Sequence, residues 1–122
     1  MIDFTSFTNE KDIYICPDPQ GHRPVWIGFV LLNNQFYIEA ETGKRSSWYQ
    51  SAIVSGTGQL HLADKIYQVG FTAVTDERLL AEIQMAYYEK YGPEARVMEA
   101  HGSEACLRVK FLKEIGLRKR NE

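Results

Sequence analysis

The octapeptide Gly43-Lys44-Arg45-Ser46-Ser47-Trp48-Tyr49-Gln50 gathers two cations and two hydroxyl-bearing serines in a short stretch. Those residue types suit an anion. Ser47 and Gln50 have the S-x-x-Q spacing of a capping box, in which the serine oxygen accepts from the backbone N–H of Gln50 and the glutamine side chain bonds back. The spacing predicts a helix beginning near Trp48. A helix start has unpaired N–H groups and a partial positive charge, so a phosphate or carboxylate is favoured there even before Lys44 and Arg45 add their own. Gly43 lets the backbone approach a ligand closely. The competing reading is an exposed turn between strand and helix, because such connections are commonly rich in Gly, Ser and Lys. Trp26 and Trp48 belong to segments that flank this turn, and either can offer a flat apolar face to a planar ligand. Trp26 is the one more suited to burial in the core. Glu39 and Glu41 share a face of the strand leading into the turn and read as neutralising the two cations.

Elsewhere the residues offer little chemistry. His22, His61 and His101 are far apart and belong to no H-x-x-x-H, H-E-x-x-H or Cys/His cluster, so no metal is expected. His61 falls on the polar face of a strand and reads as a surface or interface residue rather than a general base. Ser55-Gly56-Thr57-Gly58 lacks the Lys-Ser/Thr that completes a P-loop and the G-x-G-x-x-G of a dinucleotide site, and reads as a helix-to-strand turn. Tyr87, Tyr88 and Tyr91 recur at helical spacing, which points to core or subunit interface before a ring-binding surface. Cys16 and Cys106 have no C-x-x-C partner and are expected to be free core thiols.

The elements that must position these residues follow from periodicity and punctuation. Residues 11–16 read as a first strand, stopped by Pro17-Asp18-Pro19 and Gln20-Gly21. Residues 25–32 and 35–40 form a hairpin about Asn33-Asn34, since asparagine tolerates the positive φ of a tight turn. A short helix covers 48–54 and ends at Ser55-Gly56. Residues 57–62 and 66–74 form a second hairpin about Asp64-Lys65, with Leu60 and Leu62 on one face. The one long helix spans 76–91, with Leu79, Ile83, Ala86, Tyr87 and Tyr91 as its buried stripe and Lys90 suited to its last turn. A last strand, 104–112, alternates Ala105, Leu107, Val109 and Phe111 against Cys106, Arg108 and Lys110. The order predicts a mainly β fold: a six-stranded, largely antiparallel barrel with a short helix after the third strand and a long helix before the last.

With 122 residues and 44% hydrophobic content, the chain fits a single domain that buries roughly two thirds of its unfolded surface, with 1–10 and 113–122 as peripheral tails. Charged residues make up 25% and the formal net charge is −2, the balance of an ordinary globular protein with no sign of nucleic-acid binding. Arg118-Lys119-Arg120 reads as a solvated tail. No apolar run reaches the length of a membrane span and Met1-Ile2-Asp3-Phe4-Thr5 has no signal-like character, so a cytoplasmic location is expected.

Pro24-Val25-Trp26-Ile27, Phe36-Tyr37-Ile38, Gly43, Ser47-Trp48-Tyr49-Gln50-Ser51-Ala52 and Ala86-Tyr87-Tyr88-Glu89-Lys90-Tyr91, in that order, resemble a bacterial family of small proteins of unknown function. That family resembles in turn the FMN-binding split barrels, with their pyridoxamine 5′-phosphate oxidase-like fold, and the deazaflavin-dependent nitroreductases. The resemblance implies a six-stranded split barrel, a homodimer, and FMN or a deazaflavin at the subunit interface. The cofactor phosphate would lie near Lys44, Arg45, Ser46 and Ser47, with Trp48 and Trp26 flanking the ring. This chain departs from the pattern at Glu39, where relatives carry arginine, and in its opening segment, where Gln20-Gly21-His22-Arg23-Pro24 keeps a single arginine. Two further readings stand beside it: a cofactor-free module taking a small acidic ligand, and a structural dimer in which Lys44-Arg45 is only a turn.

Overall fold

The computed structural model describes residue 7 and residues 10–11, 13–17, 24–98 and 101–117. Its strands are β1 (Ile13–Cys16), β2 (Val25–Trp26), β3 (Phe29–Leu32), β4 (Gln35–Glu39), β5 (Thr57–Leu62), β6 (Lys65–Ala73) and β7 (Cys106–Leu117), and its α-helices are α1 (Ser47–Ser55) and α2 (Glu77–Tyr91). All seven strands join one antiparallel sheet in the order β2-β1-β5-β6-β7-β4-β3. The turn expected around 18–21, His22 and the basic run 118–120 lie outside the described residues.

The expected count of six strands is corrected to seven. The run 25–32 breaks at Ile27-Gly28: β2 pairs with β1, whereas β3 pairs with β4 at the opposite edge of the sheet. This break sets the overall shape. A flat seven-stranded sheet would hold its edges about 29 Å apart at ~4.8 Å per strand. The three Cα steps from Trp26 to Phe29 reach at most ~11 Å. The sheet must therefore curl into a half-barrel that brings its two edges within that reach at Trp26 and Phe29, and Ile27-Gly28 crosses the seam between them.

Curling separates two cores. Inside lie Ile13, Ile15, Phe29, Phe36, Ile38, Trp48, Leu60, Leu62, Val69, Leu107 and Val109, with the Phe29 and Phe36 rings stacked at 4.4 Å. Outside, α2 covers the opposite face of β3, β4 and β7 through Ile83 and Tyr87 against Val30, Tyr37, Ala95 and Cys106. The expected helical stripe and the alternation of the last strand account for these two layers. Asp76 caps α2 by accepting from the Arg78 and Leu79 N–H groups, a stronger start than the first-turn acids alone. Cys16 and Cys106 are buried thiols and form no disulfide, as read from their spacing.

Both hairpins form. Asn33 and Asn34 take φ of 52° and 59°, with Leu32 opposite Gln35. The second turn falls at Ala63-Asp64 instead of Asp64-Lys65, because Lys65 pairs with Leu62. β7 runs on to Leu117, its end pairing with Lys65, so part of the segment expected as tail belongs to the sheet. Among the described residues no helix is long and apolar enough to cross a membrane.

Candidate functional site

Strand β4 ends at Glu39, and the chain turns through Ala40 to a short 3-10 helix, Gly43–Arg45. Gly43 has φ of +71°, and a Cβ there would stand 2.8 Å from the His101 Cβ and 3.0 Å from Glu104 Cδ. Glycine is required twice over, by conformation and by space. The close neighbour is an acid with a purpose: the Lys44 N–H donates to Glu104 Oε2 at 3.5 Å, and His101 Nδ1 lies 3.1 Å from Glu104 Oε1. The His101 contact first, then the Lys44 N–H, holds the Glu104 carboxyl below its ordinary range. At the backbone of this turn, the protein supplies a carboxylate of its own.

The cap is Ser46, not Ser47. Ser46 has ψ of 128°, outside the helical range, and its Oγ accepts from the Tyr49 N–H at 3.4 Å. Gln50 reaches back, but to the Lys44 carbonyl at 2.9 Å. The 3-10 turn preceding the helix moves the start one residue earlier than the capping-box spacing implied. Lys44 and Arg45 are exposed, and neither side chain forms an ion pair among the described residues.

The two tryptophans exchange their expected environments. Trp48 is 7% exposed and belongs to the inner core, where its ring meets Tyr49 edge-on at 6.3 Å. Trp26 is 54% exposed, because on the two-residue edge strand its partner Val25 takes the inward side. The Trp26 indole N–H donates to the Lys11 carbonyl at 2.8 Å, which fixes the ring at the mouth of a cleft. Trp26, Gly28, Glu41, Tyr87, Tyr91, Glu94 and Ala95 line that cleft, whose volume is about 210 Å³.

The cleft floor is the sheet seam. In register, Gly28 and Glu39 would form the next pair after Phe29 and Ile38, yet the ladder stops there. The Tyr87 hydroxyl takes the place of that rung, accepting from the Glu39 N–H at 3.0 Å and donating to the Gly28 carbonyl at 3.0 Å. Tyr91 accepts from the Phe29 N–H at 3.1 Å, and Lys90 Nζ donates to the Phe29 carbonyl at 3.0 Å while lying 3.3 Å from the Phe29 ring centroid. Burial, then the charge of Lys11, lowers the Lys90 amine to about 8. Gly28 is needed because a Cβ would press on the Tyr91 hydroxyl at 3.3 Å and the Tyr87 ring at 3.4 Å. The helix end Tyr87–Tyr91 therefore does more than fill core: it fastens the seam and lines the cleft.

Glu39 and Glu41 do not act as a neutralising pair. Glu41 is exposed in the turn and lines the cleft. Glu39 is 1% exposed, opposite Cys106 across the β4/β7 pair. Among the described residues neither of its carboxyl oxygens has a hydrogen-bond partner of ordinary geometry, and burial pushes its carboxyl up to about 7, with the neighbouring thiol of Cys106 opposing this. Its signal in the sequence was an acid inside the apolar run Phe36-Tyr37-Ile38-Glu39-Ala40.

The remaining motifs are structural. Gly56 is the left-handed C-cap of α1 with φ of 71°, and Ser55 Oγ bonds the Thr57 carbonyl at 2.7 Å, which makes this stretch the helix-to-strand turn expected. His61 sits in β5 opposite Ile66, and no group of His, Cys, Asp and Glu among the described residues can hold a metal ion. The cleft thus brings Trp26 to Glu41, three and four residues before Lys44 and Arg45, which do not line it, while Ser46 serves as helix cap and Trp48 as core.

No curated protein matches the chain closely enough to count as a relative. A family model described as an uncharacterized protein conserved in bacteria, DUF2255, matches residues 3–109. With nearly the whole described fold inside that match, the chain belongs to the DUF2255 family.

Proposed function

We propose that this protein is a split barrel that binds FMN or a related flavin-type cofactor for redox chemistry, as a homodimer in which the second subunit covers the exposed side of the cofactor. One observation carries the reading: the aromatic cleft and the free cations share a turn. Glu41 lines the cleft beside Trp26 and Tyr91, and its Cα can lie no more than ~11 Å from that of Lys44. A planar ring against Trp26 and Tyr91 thus leaves its phosphate within reach of Lys44 and Arg45. The donor set fits through side chains, since Glu104 already occupies the Lys44 N–H and Ser46 Oγ is spent on Tyr49. Ser47 stands at the first position of α1, where the helix dipole favours the same phosphate. Trp48 supports the turn from the core below. A bound flavin would supply hydride or electron transfer, and the chain would supply position and charge.

A second reading rests on Glu41 and Glu94, two carboxylates in the cleft wall. They suit a ligand with an amine over an aromatic face, and hence a cofactor-free binding module. Titration of the purified protein with FMN and with a deazaflavin, followed by flavin fluorescence and thermal shift, separates the two, because a ligand that binds the native state raises its stability. Saturable binding of either supports the flavin reading. Binding of neither removes it and leaves the module.

A further inference from the structure

The seam of the sheet closes over an acid, Glu39, that has no counter-ion among the described residues. Glu39 shares the face of Tyr37 on β4 and lies opposite Cys106 on β7, while α2 turns Tyr87 toward it. The 3-10 helix Gly92–Met98 closes the same core with Ala95, whose neighbours Glu94 and Arg96 are exposed. Arg108 and Glu82 act on Tyr37, Tyr49 of α1 interacts with Cys106, and Glu104 is exposed and engaged by His101. Among the described residues the titratable groups that act on the carboxyl are therefore the Cys106 thiol and the Tyr87 hydroxyl, both of which burial keeps protonated at neutral pH.

A neutral carboxyl is tolerated in such a place, but a carboxylate needs donors and finds few. Cys106 offers a weak one. The Tyr87 hydroxyl has a single proton, already given to the Gly28 carbonyl. A hydrogen bond to an ionised acceptor is about twice as strong as one to a neutral carbonyl, so ionisation of Glu39 draws that proton away from Gly28 and deprives the seam of its hydroxyl rung.

We propose that Glu39 is a protonation switch for the seam: with the carboxyl neutral, Tyr87 bridges Glu39 and Gly28 and holds the strand-crossing segment onto the end of the β3/β4 ladder; with it ionised, Tyr87 turns to the carboxylate, Gly28-Phe29 loosens from α2, and the cleft that Tyr87 and Gly28 line changes shape. The switch belongs to the fold and holds whatever ligand the cleft takes.

Amide hydrogen exchange at Phe29 and Glu39, corrected for intrinsic rate and followed from about pH 5.5 to 8.5, reads the latch on either side of the titration. In the wild type, protection at both amides falls roughly tenfold or more across this range, in step with the ionised fraction of the carboxyl. In Glu39→Gln protection stays level at the position-39 amide, and any fall left at Phe29 follows the Lys90 amine near 8 instead of a midpoint near 7. Carboxyl-carbon NMR of the wild type provides the measurement that needs no variant: the Glu39 titration and the loss of protection share one midpoint. A pH dependence unchanged in Glu39→Gln, wild-type protection that is flat with pH, or midpoints more than about one pH unit apart would each overturn the switch.

Discussion

The end of α2 and the start of α1 both carry residues of the resemblance, Ala86–Tyr91 in the one and Gly43 with Ser47–Ala52 in the other, but they are built oppositely. At the end of α2 three polar tips are committed: the hydroxyls of Tyr87 and Tyr91 and the amine of Lys90 all bond to Gly28, Phe29 or Glu39. At the start of α1 the commitments are made by backbone and by Ser46, Gln50 and Glu104, which leaves the Lys44 and Arg45 side chains exposed. The difference separates two reasons for a motif. A tyrosine or lysine whose polar tip replaces a missing strand rung is there for the fold. A cation held out on a turn whose backbone is already satisfied is available to a ligand.

The largest expected effect tests the first half of that contrast. Tyr87→Ala removes a fully buried ring and leaves the Gly28 carbonyl and Glu39 N–H without their bridge, so it should cost about 3–5 kcal/mol in urea unfolding. A loss below about 1 kcal/mol would mean that α2 does not fasten the seam.

Next comes the pH dependence of Glu39. Its folded value of about 7 lies above the ordinary carboxyl value, so the native state holds the proton more tightly than the unfolded chain. The stabilisation is fully present below the unfolded value and is lost as pH rises through about 7, a change of about 3 kcal/mol. Glu39→Gln should abolish that slope and be the more stable protein at pH 8 or so. Equal slopes in the two proteins would place the acid in a wetter site than the second core.

Gly43→Ala separates backbone strain from ligand chemistry at the other turn. The positive φ and the contact with His101 should together cost roughly 1–3 kcal/mol. A neutral result would show that the Gly43–Arg45 turn adjusts freely, which would weaken the case for a preformed site beside it.

Much of the fold was legible because its signals are local. Asn33-Asn34 required positive φ, α2 displayed its stripe at helical spacing, and Leu107, Val109 and Phe111 alternated along β7. What escaped depends on partners distant in sequence. Nothing within residues 25–32 shows that β2 and β3 belong to opposite edges, since the break becomes necessary only when β1 and β4 compete for them. Ser46 and Ser47 are chemically alike, and the choice of cap fell to the 3-10 turn before them. Trp26 and Trp48 differ only in whether their strand or helix face meets the inner core. Glu39 was visible as an acid in an apolar run, but its burial requires α2 to be laid over β4, and α2 is far along the chain. The cation pair was the part of the candidate site most open to reading, while the cleft near it is assembled from three separated segments and was not.

The Lys44→Ala/Arg45→Ala double variant bears on both halves of the comparison at once. Removing two exposed cations that form no ion pair among the described residues should leave the stability within about 0.5 kcal/mol of wild type, while saturable binding of FMN or a deazaflavin, read by flavin fluorescence, weakens by roughly tenfold or more with two charge-assisted phosphate contacts gone. Unchanged stability with weakened flavin binding is the predicted result. Unaltered flavin affinity in the double variant, or a loss of stability comparable to that of Tyr87→Ala, would contradict the assignment of this turn to a ligand.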